Sequence, residues 1–150
     1  MVFDIFSQDI HLNTFFFKTD KNSGPGIARN IGIENTYAKY IFFLDMDDYF
    51  YCDNALETLL EHLEEKPYLD VIYSKDWEER YGEASYFGHG RLYRKEFIDR
   101  HNSRFGLQFS YEDAYFDNIN NLNGIKSEKI DFISYFYSCN NNSIIADNLL

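Results

Sequence analysis

An unbroken apolar run at residues 40–44 is followed directly by acidic residues: Asp45, Asp47 and Asp48 lie within the next four positions. A run of this length, with aromatic and β-branched side chains, predicts a strand that is buried on both faces in the middle of a mostly parallel sheet. Open α/β sheets bind their ligands at the C-terminal ends of such strands. The pattern therefore predicts three carboxylates at the rim of a binding crevice.

Helical and strand patterns alternate along the rest of the chain and predict an α/β fold. The predicted helices cover residues 26–38 (with Ser23 as a cap), 53–66, 94–101 and 110–124, and the predicted strands cover 15–17, 40–44, 70–74 and 130–137. In the second helix, Leu56, Leu59, Leu60 and Leu63 are expected to form the buried face. In the last helix, the expected face consists of Tyr111, Tyr115, Ile119 and Leu122.

Composition excludes several classes of partner. The 150 residues suffice for one domain, and the net charge of −11 argues against nucleic acid and anionic membrane surfaces, which both attract positive charge. No signal segment and no apolar run of membrane-spanning length is visible. Cys52 and Cys139 lie far apart in sequence, which favours free thiols in a reducing compartment. The sequence predicts a cytoplasmic protein.

The acidic segment after the apolar run allows two interpretations. Asp45, Asp47 and Asp48 are either an ordinary polar loop of an acidic chain or a divalent cation site, since Mg²⁺ and Mn²⁺ prefer oxygen ligands. His89 stands between two glycines, which allow close backbone approach, so a structural role and a place in a cleft are equally open.

Two further polar pairs lie near predicted helix starts. Glu112 and Asp113 are either helix-terminal acids favoured by the macrodipole or a site that includes a general base. Arg29 and Asn30 are either solvated surface or residues that order an anionic ligand or the acidic loop.

Four segments in this order resemble the family 2 glycosyltransferases with the GT-A fold, and bacterial and phage members in particular. The segments are residues 24–30, 40–48, 90–98 and 112–116, and the resemblance extends over roughly residues 13–145. It implies a Rossmann-like, nucleotide-diphospho-sugar transferase fold, with a mixed, mostly parallel sheet flanked by helices. It also implies metal-dependent, inverting transfer of a sugar from a nucleotide-sugar donor to an acceptor hydroxyl.

The resemblance assigns the donor side of the reaction to four positions besides His89. Asp45 and Asp47 match the family's Asp-x-Asp motif, which holds a divalent cation (Mn²⁺ or Mg²⁺) and the donor diphosphate. Arg29 and Asn30 match a segment that flanks the nucleotide. His89 falls where some relatives carry a histidine near the donor or the acceptor.

The acceptor side is assigned to the acidic pair at the start of the last helix. Asp113 matches the family's general base, and Glu112 accompanies it near a saccharide or other hydroxyl acceptor. Inverting transfer needs one carboxylate to take the proton of the incoming hydroxyl, so the residue types agree with the chemistry.

The chain departs from the family at both ends. It starts where a third strand is expected, which predicts a single partial domain over residues 1–150 that lacks the usual first strands. An unfilled sheet edge would favour a missing N-terminal half or self-association. After Tyr137, an arginine expected in the family is absent. Two alternatives to the glycosyltransferase stay open: an inactive remnant or half of a split protein that acts as a binding module, and a metal-dependent hydrolase that uses the same acids.

Overall fold

The computed structural model describes residues 15–78, 84–85, 89–108 and 111–138, with side chains at 76–78 and 84–85 excluded. Its helices are α1 (Pro25–Asn35), α2 (Ala55–Glu64), α3 (Lys95–Arg100) and α4 (Glu112–Leu122). Its strands are β1 (Tyr40–Phe42), β2 (Tyr49–Phe50), β3 (Val71–Glu78), β4 (Ala84–Ser85), β5 (Arg91–Arg94) and β6 (Ser127–Tyr137). The expectation for Cys139 lies outside the described residues.

The strands form one mixed sheet in the order β1-β5-β3-β6-β2, and β4 pairs with β3. Strands β3 and β6 are parallel, whereas the pairs β1/β5, β5/β3, β3/β4 and β2/β6 are antiparallel. The predicted α/β architecture with helices against a mixed sheet is confirmed. Two expectations are corrected. Among the described strands the sheet is not mostly parallel, because four of the five strand pairs are antiparallel. The strand predicted at residues 40–44 does not lie in the middle of the sheet, because β1 pairs only with β5 among the described strands and lies at the end of the order.

Both faces of the sheet are covered by helices. Adjacent residues of β3 point to opposite faces: Val71 packs in a cluster with Ile33 and Phe116, whereas Ile72 packs with Leu59 and Leu63. The first cluster joins α1, α3 and α4 to the sheet, and the second joins α2 to it. The alternation of side chains in an extended strand therefore explains why neighbouring apolar residues serve two separate cores.

Local predictions near the start of the chain need correction. Residues 15–17 form no strand, and their phenylalanines are exposed. Helix α1 is capped by Gly24 with Pro25 in its first turn and no side-chain cap, so Ser23 is not the cap. Proline suits this position because the first helical N–H groups have no intrahelical partner.

Two predicted helix faces are also wrong in part. In α2, Leu59 and Leu63 are buried, but Leu56 and Leu60 are 43% and 38% exposed, so the helix contacts the sheet along a narrower stripe. In α4 the buried residues are Glu112, Phe116 and Asn120, whereas Tyr115 and Leu122 of the predicted face are exposed, as is Tyr111 just before the helix, and Ile119 is half-buried.

Glycine at position 26 is required by the contact between α1 and α4. A Cβ at Gly26 would lie 2.3 Å from the carbonyl oxygen of Gly106 and 3.1 Å from Cβ of Glu112. We expect Gly26→Ala to lower the free energy of unfolding by about 1–3 kcal/mol, because backbone must move. Gly32 on the same helix has nothing within 4 Å, so Gly32→Ala is expected to raise it by about 0.5–1 kcal/mol. Urea denaturation of the two variants checks the opposite signs, and equal effects would contradict this packing.

Candidate active site

The end of β1 is fixed by aromatic packing just before the acidic residues. Phe43 makes edge-to-face contacts with Phe105, Phe116 and Tyr93, with ring centroids 4.9, 6.2 and 6.1 Å away. Edge-to-face packing of this kind restricts the ring and hence the backbone that carries it. Asp45 follows two residues later, so the packing of Phe43 in the core also sets the position of the Asp45 backbone.

The acidic segment is a tight turn whose two ends are tied down. The N–H of Asp48 donates to the carbonyl of Asp45 at 3.1 Å. The carboxylate of Asp48 is buried and accepts hydrogen bonds from the Tyr135 hydroxyl and from the N–H of Ser138. Burial raises the pKa of Asp48, although both hydrogen bonds favour its charged form. Asp47, by contrast, is exposed in the middle of the turn.

Arg29 joins the acidic turn to helix α4. Its two terminal nitrogens donate separately, Nη2 to Oδ1 of Asp45 and Nη1 to Oε1 of Glu112, both at 2.6 Å. The Arg29 side chain is 15% exposed and that of Glu112 is 9% exposed. The interpretation that Arg29 orders the acidic loop therefore holds in this structure, and Glu112 belongs to the same network.

Asn30 has a different position from its neighbour. Its side-chain amide donates to the carbonyl of Phe105 at 3.1 Å, and its side-chain oxygen accepts from the N–H of Phe105 at 2.9 Å. This two-way pairing holds the segment that supplies Phe105 to the aromatic packing around Phe43. The structure gives Asn30 a part in shaping the site's wall.

His89 lies within the site rather than on an unrelated surface. Its ring stacks on Tyr135 and Tyr137 at centroid distances of 5.0 and 5.3 Å. Gly90 follows with φ of 63°, a left-handed conformation that suits glycine. Burial lowers the pKa of His89 despite the nearby acids, so its neutral form is favoured.

Most of these elements meet at one small cavity of about 30 Å³. Its polar walls come from Arg29, Asp45, His89, Asp113 and Asp117, and its apolar walls come from Phe43, Tyr93, Phe105 and Phe116. Seven residues were assigned to the donor and acceptor sides. Four of them line this one cavity: Arg29, Asp45, His89 and Asp113. Glu112 reaches it through Arg29, Asn30 supports its wall, and Asp47 is not among its lining residues.

Three side chains at or near the cavity could together hold a metal ion. One atom each from Asp45, Asp48 and His89 lie within 4.8 Å of one another. Around an ion with ligands at 2.0–2.1 Å, donor atoms are separated by about 3–4 Å, so small side-chain rotations suffice.

Sequence reasoning did not identify Asp117, Arg91 or Tyr135 as parts of the site. Asp117 was detectable in principle, because it follows Asp113 by one helical turn and must share its side of α4. Arg91 and Tyr135 carried no comparable signal, since their contacts depend on how β5 and β6 pair with β3.

The comparison with known families decides the chain's classification. The protein-family model described as "Glycosyl transferase family 2" matches residues 6–116 of the sequence. The chain belongs to glycosyl transferase family 2. The expected GT-A-type architecture agrees with solved structures: Staphylococcus aureus TarS, residues 1–349, superposes with a TM-score of 0.69 and 20% identity over 80% of this chain and 42% of that one.

Curated relatives of this family 2 chain match shorter segments. An uncharacterized glycosyltransferase of Rickettsia felis is 51% identical over 49 residues, which are 33% of this chain and 8% of the relative. One from Haemophilus influenzae is 42% identical over 60 residues, 40% of this chain and 23% of the relative. The matched part is thus well under half the length of either relative. Among the described residues, no helix has the length and apolar character needed to cross a membrane.

Proposed function

We propose that this chain takes part in transferring a sugar from a nucleoside-diphosphate sugar to an acceptor hydroxyl, with inversion and with a divalent cation. The observation that carries the proposal is the cavity that joins Asp45 and His89 to Asp113 in a chain of family 2. A TarS structure solved with UDP-GlcNAc superposes with a TM-score of 0.70, which supports a uridine nucleotide as the first donor to test. The acceptor is a saccharide or another alcohol.

The charge of the cavity supports the need for a cation. Asp45, Asp113 and Asp117 line it; the guanidinium of Arg29 already pairs with Asp45 and Glu112, and that of Arg91 pairs with Asp117, so carboxylates still outnumber guanidinium groups around the cavity. A diphosphate that entered these walls alone would meet net negative charge at short range. A bound cation would neutralise the charge that develops on the departing diphosphate. Asp45, Asp48 and His89 are the residues that we propose to hold it, with Asp47 as a further predicted ligand from the turn.

Asp113 is the better general base of the acidic pair. Glu112 is buried and forms an ion pair with Arg29, so its carboxylate is not available to an acceptor hydroxyl. Asp113 forms no ion pair within the described residues, and it lines the cavity directly. A carboxylate in this position is free to accept the proton of an acceptor hydroxyl as the bond to the sugar forms. We therefore assign Glu112 of helix α4 a structural role and Asp113 the role of general base.

Calorimetric titration of the chain with UDP and GDP, with and without Mn²⁺, tests the donor site. We expect binding that depends on Mn²⁺ and that weakens at least tenfold in Asp45→Asn and in Asp48→Asn. Asp53→Asn is the matched control, because Asp53 is an exposed acid five residues beyond the turn. Comparison with Asp47→Asn shows how much the exposed turn residue adds. A folded chain that binds neither nucleotide under any condition would refute the proposed donor site.

A further inference from the structure

A second ion pair links helix α4 to the strand that follows His89. Nη1 of Arg91 lies 2.5 Å from Oδ1 of Asp117, and the two side chains are 21% and 28% exposed. The Arg91 guanidinium also lies over the Tyr73 ring, 5.4 Å from its centroid. Arg91 is thus held by strand β3 as well as by α4, which makes it a fixed point rather than a flexible surface side chain.

The two ion pairs of α4 flank the proposed base. Arg29 binds Glu112, one residue before Asp113, and Arg91 binds Asp117, one turn after it. Glu112 and Asp117 are five residues apart, so at 3.6 residues per turn they lie about 140° apart around the helix. A helix that is held on two different sides has little freedom to rotate about its axis. The rotation of α4 decides whether the carboxylate of Asp113 faces the cavity or the solvent.

Stability alone is a poor reason for this second pair. Desolvating two charges offsets much of their attraction, and apolar replacements of such pairs are often neutral or stabilising, whereas a role in fixing geometry is better attested. Burial raises the pKa of Asp117, and Arg91 opposes that rise. The position fits a geometric role, since His89 stands two residues before Arg91 and lines the cavity together with Asp113 and Asp117.

We propose that Arg91 and Asp117 are a positioning pair, which sets the rotation of α4 so that Asp113 faces the cavity that His89 also lines. The proposal rests on the proposed function only in naming Asp113 as the base. Neither Arg91 nor Asp117 needs to touch the reacting atoms. Both act through the helix.

Substitution of Asp117, with sugar transfer measured at saturating and limiting donor, tests the pair. We expect Asp117→Ala to lower kcat about 10–100-fold with KM for the donor nearly unchanged, because a shift of about 1 Å in a reacting group can cost that much. Asp117→Asn keeps the shape and a hydrogen-bond acceptor for Arg91, so it is expected to recover most of the lost kcat. The matched control is Glu128→Ala, which removes a similarly half-buried ion pair with Lys66 between the end of α2 and β6.

The outcomes separate positioning from general stabilisation. If Asp117→Ala and Glu128→Ala lower the melting temperature alike and kcat falls in neither, the positioning role is refuted. Amide hydrogen exchange gives an answer that does not need activity: we expect faster exchange at residues 112–117 in Asp117→Ala only. A wild-type chain without transfer activity would count against the proposed function, while uniform exchange in both variants would overturn the positioning pair independently.

Discussion

Asp113→Asn is expected to lower the rate of sugar transfer by about 10²–10⁴-fold, which is the usual contribution of a general base. Asparagine has nearly the same shape, but it cannot accept a proton from the acceptor hydroxyl. Donor and cation binding should stay within about twofold of the wild-type values, because the predicted ligands lie on the acidic turn and at His89. Initial rates with a sugar-nucleotide donor, measured beside calorimetric donor binding, check both parts.

The control separates loss of the base from loss of charge. Asp53→Asn removes one negative charge from an exposed position outside the cavity and should leave the transfer rate unchanged. If Asp113→Asn transfers sugar at the wild-type rate, another group takes the proton. A strong loss of donor binding in the same variant would instead move Asp113 to the donor side of the site.

Segments whose structure depends on near neighbours were predictable from the sequence. Helix α3 falls within its predicted range, and Phe97 and Ile98 are buried in it as the pattern requires. Strand β6 was recognised from its apolar run, although it starts three residues earlier than predicted. In α3 the apolar pattern specifies both the conformation and the buried side. In β6 the apolar run specifies the strand but not its buried side, because the buried residues are Ile130, Ser134 and Tyr135 rather than alternate positions.

The pairing of the strands was not predictable in the same way. An unbroken apolar run indicates burial, but it does not say which strand lies alongside. Strand β1 pairs antiparallel with β5, whose register places Ile41 opposite Tyr93. That pairing joins positions about fifty residues apart, and no feature within residues 40–44 encodes it. Periodicity was enough to predict an α/β fold, whereas the GT-A architecture was predicted only from the resemblance to family 2.

The buried face of α4 shows why the site itself was only half predictable. By periodicity, a helix should bury its tyrosines and leucine and expose its acids. Arg29 lies 83 positions before Glu112, and it supplies the charge that lets this glutamate be buried. Asp48 likewise depends on Tyr135, which is 87 positions away. Candidate residues can be recognised in the sequence, but partners at such separations emerge only from the fold.

Arg29→Met is expected to lower the free energy of unfolding by about 3 kcal/mol, because it leaves the buried carboxylate of Glu112 without its partner. The contribution from Asp45 is smaller, since its side chain is 36% exposed and water can solvate it. For a chain of this length the change corresponds to a melting temperature about 6–12 °C lower. Thermal unfolding followed by circular dichroism measures it.

Two further variants show whether the unpaired charge is the cause. Arg104→Met removes an arginine whose partner, Glu34, is 57% exposed, so a loss below about 1 kcal/mol is expected. Adding Glu112→Gln to Arg29→Met removes the stranded charge and should restore part of the stability. If Arg29→Met costs no more than Arg104→Met, the pair with Glu112 does not behave as a buried one. The double variant could also remain as unstable as Arg29→Met alone. The lost stability would then come from the packing of Arg29 on Phe105, whose ring centroid lies 5.3 Å from the guanidinium carbon.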